Sequence, residues 1–296
     1  MSRPIPIEEM VRLFKSRHRT SHLFKIDNFS LFKKYKIEKV YSSVFDLGGH
    51  KWRLRVYPNG SNRMKARGHV SIFLTNQASV NVKIEYEVFV VSQLEQIWES
   101  SGHKVFGTYS EPVSKGSPKL ISLVDLKRNG FLIGDCCMCG VKLHGIEPSA
   151  SGTAECFSLI EKPPNHKVTW MMTRFSSFDP EKVHHSHEFV VGNRKWRIQV
   201  HPRGFEEEKD ESFSVYLIGE GFINNAPNTE TYAKFKLRVL DQVNRNHVEK
   251  TCSGGLETSK GFADFMCLTK LVEPYLVNDK LYVGVDFEVV SVATYC

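Results

Sequence analysis

Lys51-Trp52-Arg53-Leu54-Arg55-Val56-Tyr57-Pro58-Asn59-Gly60 and Lys195-Trp196-Arg197-Ile198-Gln199-Val200-His201-Pro202-Arg203-Gly204 are two versions of one ten-residue stretch, starting at positions 51 and 195. In the first, Trp52, Leu54 and Val56 alternate with charged and polar neighbours. In the second, Trp196, Ile198 and Val200 do the same. Successive side chains of a strand point to opposite faces, so each stretch reads as a strand with one dry and one wet side. The Pro-x-Gly triplets end both strands, because proline donates no ladder hydrogen bond and glycine accepts the positive φ of a turn.

The repetition continues on either side. His69-Val70-Ser71-Ile72-Phe73-Leu74 matches Ser212-Phe213-Ser214-Val215-Tyr216-Leu217, and Tyr86-Glu87-Val88-Phe89-Val90 matches Phe235-Lys236-Leu237-Arg238-Val239. Leu132-Ile133-Gly134-Asp135 matches Leu276-Val277-Asn278-Asp279, each leading into an apolar closing strand. The period has the length of a whole domain, too long for a solenoid unit, so each of the two copies must bury its own core. Half-wet strands divided by turns suit antiparallel sheets packed face to face; a parallel sheet would need strands apolar on both faces and long crossovers. The expected fold is therefore all-β: two consecutive antiparallel β-sandwiches of seven to eight strands each. Trp52 and Trp196 are expected in the two cores. Outward-pointing Phe73, Phe89 and Tyr216 are candidates to flank a groove. Helix is expected only in short pieces, at 261–266, at 118–124 and in a leading segment at 7–15.

The 296 residues suit two domains. Expected boundaries are a basic leader at 1–21, a first sandwich at 22–144, a linker rich in Pro, Ser and Gly at 145–167, and a second sandwich at 168–292. Hydrophobic residues at 41% and charged residues at 25% fit a folded globular chain rather than a disordered one. No apolar run reaches the ~18 residues that a membrane helix needs, and charges break up the N-terminal stretch, against a secretory signal. The seven cysteines form no even framework, which favours reduced thiols in a cytoplasmic or nuclear compartment. The net charge of +7 is partly in the leader, which carries Arg3, Arg12, Lys15, Arg17 and Arg19.

Three motifs invite chemical readings. Cys136-Cys137-Met138-Cys139 offers thiols, but alternation turns Cys137 and Cys139 inward, where the other copy has Leu281 and Val283, and no second ligand pair stands at a zinc-site spacing. His184-His185-Ser186-His187 lies in the approach to the second Trp strand and reads as an exposed loop. Glu206 to Glu211 reads as a solvated acidic turn. No spacing places a general base beside a nucleophile. The expectation is thus no catalytic residue, no metal and no cofactor. The basic rows Lys51-Arg53-Arg55 and Lys234-Lys236-Arg238 lack interleaved aromatics, which argues against nucleic acid.

The order of motifs resembles the MATH, or TRAF-like, domain in a tandem of the plant type. The resemblance rests on the Phe-Ser openings Phe29-Ser30 and Phe175-Ser176, the Lys-Trp-Arg strands, the Ser-centred strands after them, and Tyr275-Leu276-Val277-Asn278-Asp279-Lys280-Leu281 before the last strand. It implies a non-catalytic module that holds peptide segments or folded partners in a shallow sheet groove, as an adaptor or scaffold in ubiquitin pathways. Self-association of the two domains into an oligomer is the second expectation. Best-studied members line the groove with Trp-Gly-aromatic and a further aromatic. Here the matching residues are Lys260, Gly261, Phe262 and Phe265 in copy two, and Lys115, Gly116 and Ser117 in copy one. A groove tyrosine falls on Ser212 and His69. The resemblance thus marks Lys260, Phe262, Phe265, Ser212 and His69 as candidate partner contacts.

Overall fold

The computed structural model describes residues 9, 11–12, 21–77, 83–94, 97–107, 114–144 and 153–296. The expected leader, apart from Glu9, Val11, Arg12 and Ser21, and residues 145–152 of the expected linker lie outside the described residues. Glu9, Val11 and Arg12 are helical. The chain forms two compact units. One is Met1–Leu159 with Ala226–Glu230 and Ala293–Cys296; the other is Ile160–Asn225 with Thr231–Val292.

The first unit contains β1 (His22–Asp27), β2 (Val40–Tyr41), β3 (Phe45–Leu47), β4 (His50–Tyr57), β5 (His69–Asn76), β6 (Lys83–Val91), β7 (Trp98–Ser100), β8 (Lys104–Gly107), β9 (Ser114–Ser122), β10 (Leu132–Ile133), β11 (Cys136–His144) and all but the last two residues of β12 (Thr153–Glu161). One sheet runs β12-β1-β11-β6-β7, and the sheet opposite runs β2-β4-β5-β9. The second unit contains β13 (Lys167–Thr173), β14 (His184–His185), β15 (Phe189–Val191), β16 (Arg194–His201), β17 (Ser212–Phe222), β18 (Thr231–Val239), β19 (Val248–Leu256), β20 (Ser259–Cys267) and all but the last three residues of β21 (Lys280–Tyr295). Its sheets run β19-β18-β21-β13 and β14-β16-β17-β20. The two Trp strands are β4 and β16. Trp52 and Trp196 are both fully buried, and Trp196 packs among residues of both sheets of its unit, including Phe213, Phe235 and Phe287.

Among the described residues the pairings are antiparallel except one: β12, in the stretch expected as linker, lies parallel to β1 from His22↔Thr153 to Asp27↔Ser158. The alternation of Ala154, Cys156, Ser158 and Ile160 with Glu155, Phe157 and Leu159 supplies the strand period.

Three expectations are corrected. Residues 261–266 are strand, not helix. Val215 faces Phe262 and Phe213 faces Met266, so four residues of β20 span two of β17 across a bulge. Phe262 and Met266 share a side of the strand, at the i, i+4 spacing that a helix also gives. Copy one repeats it, with Ile72↔Ser117 and Val70↔Ile121. Its helix is Leu123–Arg128, just beyond β9, with the Ser122 hydroxyl accepting from Asp125 N–H at 3.0 Å. Second, Phe73 and Phe89 are not surface groups: both are buried. Third, β11 is dry on both faces. Cys137 and Cys139 face the core as expected, but Met138 is buried too, in a cluster with Val11, Leu23, Phe89, Val91 and Ala154.

The opening and closing motifs meet in each copy. Asp135 accepts from the Ser30 N–H at 2.8 Å and the Ser30 hydroxyl at 2.7 Å; Asp279 accepts from both groups of Ser176 at 2.8 Å. The Gly134-Asp135 and Asn278-Asp279 pairs all have positive φ. Tight hairpin turns demand that conformation, and Gly, Asn and Asp tolerate it best.

Candidate functional site: the free edge of the second sandwich

Within its sheet, β20 pairs with β17 on one side, and no strand among the described residues pairs with its other side. An unpaired edge carries a row of free backbone donors and acceptors, the usual template for an added strand. The bulge fixes its shape. Ser214, fully buried at the bulge, donates its hydroxyl to the Ala263 carbonyl at 2.6 Å. Gly261 stands opposite Tyr216, and a Cβ there would overlap the Val215 carbonyl and the Tyr216 ring. Glycine is therefore required by close approach.

On the solvent side of this edge, Tyr216 joins His201 and Phe205. The His201 and Phe205 rings are 4.6 Å apart, and each lies about 6 Å edge-on from Tyr216. Phe205 is 40% exposed, so the cluster offers an apolar surface beside the edge. Burial raises the Tyr216 hydroxyl pKa, and the charges of Glu206 and Asp264 raise it further.

On the inner side, Phe262 is half-buried, packed on the core with its ring 6.2 Å from Phe265. Lys250 of β19 reaches over Phe262, 5.1 Å from the ring centre, and donates to the Asp264 carbonyl at 2.6 Å. Lys260 crosses the opposite way, donating to the Ser253 carbonyl of β19 at 2.6 Å. Two lysines thus tie β20 to β19 across the mouth of the sandwich.

The candidate contacts separate accordingly. Phe262 and Lys260 border the edge. Phe265 is a core residue, 2% exposed. Ser212 is buried at the far end of the β17–β20 pair, opposite Cys267, and donates to Glu208 at 2.9 Å. His69 occupies the matching place in copy one, opposite Ser122. Tyr216 is half-exposed, and the sequence reading passed over His201, Phe205 and Lys250. Their signal was faint: His201 and Phe205 bracket the Pro-x-Gly turn after the Trp strand, and Lys250 lies outside the repeated motifs.

The edge of copy one is built differently. Gly116 lies against Phe73, and the buried Ser71 hydroxyl donates to the Pro118 carbonyl at 2.5 Å, so Pro118 takes the place of Ala263. Proline removes an edge donor. Ser117 replaces Phe262, and Arg55 lies 5.4 Å above the Phe73 ring. A cleft of about 880 Å³ in this unit, between the helix Ser30–Lys34 and the turn after β4, is rimmed by Lys33, Lys36, Arg67 and Lys127.

The MATH domain family matches residues 21–143 and 167–287. The chain belongs to the MATH domain family. Among relatives, "Ubiquitin C-terminal hydrolase 13" of Arabidopsis thaliana is 34% identical over 142 residues, 46% of this chain and 12% of that protein. A MATH domain and coiled-coil domain-containing protein of the same plant is 28% identical over 139 residues, 45% of this chain and 43% of that protein. The matches span less than half the length of these relatives. Among solved structures, a TRAF5 chain of Notothenia coriiceps matches 42% of this chain and 73% of that chain, at 21% identity and a TM-score of 0.36. Each MATH domain here is a protein-interaction fold, and no helix among the described residues is long and apolar enough to cross a membrane.

Proposed function

We propose that this tandem MATH protein holds an extended segment of a partner protein along β20, as an added strand of the second sandwich. The free β20 edge, bordered by Phe262 and the Tyr216–Phe205–His201 cluster, carries the reading. Backbone hydrogen bonds along the edge supply affinity, and the aromatic borders select side chains. Glu206, whose charge reaches Tyr216, favours a segment with a basic residue. Copy one, with Pro118 on its edge, serves as the non-binding or structural half. No group in this arrangement acts as a catalyst; the chain works as an adaptor. The likeness to a ubiquitin C-terminal hydrolase supports a place in ubiquitin pathways.

The test is partner capture by proximity labelling with the full chain and with Ala263→Pro, which gives copy two the edge residue of copy one. Partners lost with A263P and with Tyr216→Ala, while circular dichroism stays unchanged, support the reading. A partner set indifferent to both changes overturns it. Light scattering distinguishes self-pairing of edges: the expected species is a monomer.

A further inference from the structure

We propose that Glu87, His103 and His144 form a zinc-binding site on the first sandwich. The sequence showed metal-like clusters only in Cys136–Cys139 and His184–His187, and these three residues come from three separate places. Glu87 lies on β6 and His144 on β11. With Lys142↔Glu87 and His144↔Glu85 in register, the two are diagonal neighbours on one face of an antiparallel pair. His103 comes from the turn between β7 and β8. Both strands pair with β6, β7 at Phe89 to Val91 and β8 at Lys83 to Tyr86, so residues 101–103 must cross beside Glu87 and Val88. The crossing is pinned by the Ser101 N–H donating to the Val88 carbonyl at 2.9 Å and the Val88 N–H donating to the Ser101 hydroxyl at 3.2 Å.

One donor atom from each residue lies within 4.8 Å of the other two. The His144 and Glu87 atoms, Nε2 and Oε1, are 3.7 Å apart. Ligands about 2.1 Å from a tetrahedral zinc stand ~3.4 Å from one another, so this pair is within a few tenths of an ångström of coordinating distance. The His144 Nε2 is buried and has no hydrogen-bond partner among the described residues, a costly state that a metal bond relieves. The Ser100 hydroxyl donates to Oε2 of Glu87 at 2.8 Å, leaving Oε1 to face the imidazoles. His103 is exposed and stacks on His144 with ring centres 3.9 Å apart; its ring swings out of the stack to aim a nitrogen at the metal, a movement open to an exposed residue on a turn. Two imidazoles and a carboxylate are a borderline-metal donor set, and zinc, with no geometric demand of its own, accepts three such ligands and a water. Binding joins the 101–103 turn to β6 and β11.

The test is titration of the full chain, without an affinity tag, with zinc and with cobalt. One equivalent of saturable zinc binding is expected, with tetrahedral cobalt bands and no near-ultraviolet thiolate charge-transfer band. His103→Ala, at an exposed position, raises the zinc Kd by ~10-fold or more, and Ser100→Ala raises it less. The pair His184→Ala and His185→Ala leaves it unchanged. No saturable zinc binding, binding indifferent to H103A, or a cobalt spectrum showing thiolate overturns the site.

Discussion

Replacing Arg194 with methionine removes a buried hub just before the Lys-Trp-Arg motif, at a residue the sequence motifs do not include. Arg194 is 3% exposed, and its guanidinium serves four carbonyls from two chain segments. Nη1 donates to Leu256 at 2.7 Å, Nη2 to Glu257 at 2.6 Å and Gly219 at 3.1 Å, and Nε to Glu220 at 3.2 Å. It also lies 5.2 Å above the Trp196 and Phe222 rings. The Leu256 bond is buried, so stranding that carbonyl costs about 1–3 kcal/mol. The other three are partly reached by water, and at a net ~0.5–1 kcal/mol each they add about 1.5–3 kcal/mol. Burial works against the charge, lowering the Arg194 pKa, and methionine recovers that cost. The total for R194M is thus about 3–5 kcal/mol, a large share of the ~5–15 kcal/mol of a typical domain. Native-state hydrogen exchange read by mass spectrometry over β17 and β19 is the assay. At 1.4 kcal/mol per tenfold, the globally exchanging amides should exchange roughly 100- to 4000-fold faster. A change under about fivefold, or ~1 kcal/mol, would refute the hub.

Two further outcomes are expected. Asp279→Ala removes both bonds to Ser176 and places alanine at a positive φ, costing about 1–2 kcal/mol, whereas Asp279→Asn, better suited to that φ, retains most of the stability; thermal unfolding measures both. His201 has its pKa lowered by burial and then by His185 and His184, so the unfolded chain binds more protons as the medium acidifies. Its stabilisation is full above the ordinary imidazole value of ~6.5 and declines as pH falls below it, so His201→Gln should flatten the fall of the urea midpoint between about pH 7 and about pH 5.

The fold was legible because its devices are local and repeated. The Trp strands, the Pro-x-Gly turns and the Ser of each bulge keep their order in both copies, and register pairs them as the two sequences align: Ser71 with Ser214, Gly116 with Gly261, Pro118 with Ala263. The Phe-Ser and Gly-Asp or Asn-Asp motifs were read as separate signatures. They are one clamp, joined across more than a hundred residues. The false helix at 261–266 came from Phe262, Phe265 and Met266, whose i, i+3, i+4 spacing fits one face of a helix and is carried here by a bulged strand packed on the core. Burial of Phe73 and Phe89 was hidden because alternation reports which way a side chain points, not what covers it. Arg194 was hidden because its partners are backbone carbonyls, which any sequence supplies. Glu87, His103 and His144 were hidden because only strand register brings them together.

The most direct measurement is hydrogen exchange along β20 while the full chain holds a peptide selected from a random displayed library. The account predicts that the amides facing away from β17 slow on binding, that Tyr216 and Phe262 resonances shift, and that A263P abolishes both effects. Binding that protects another strand while β20 exchanges as before would contradict it.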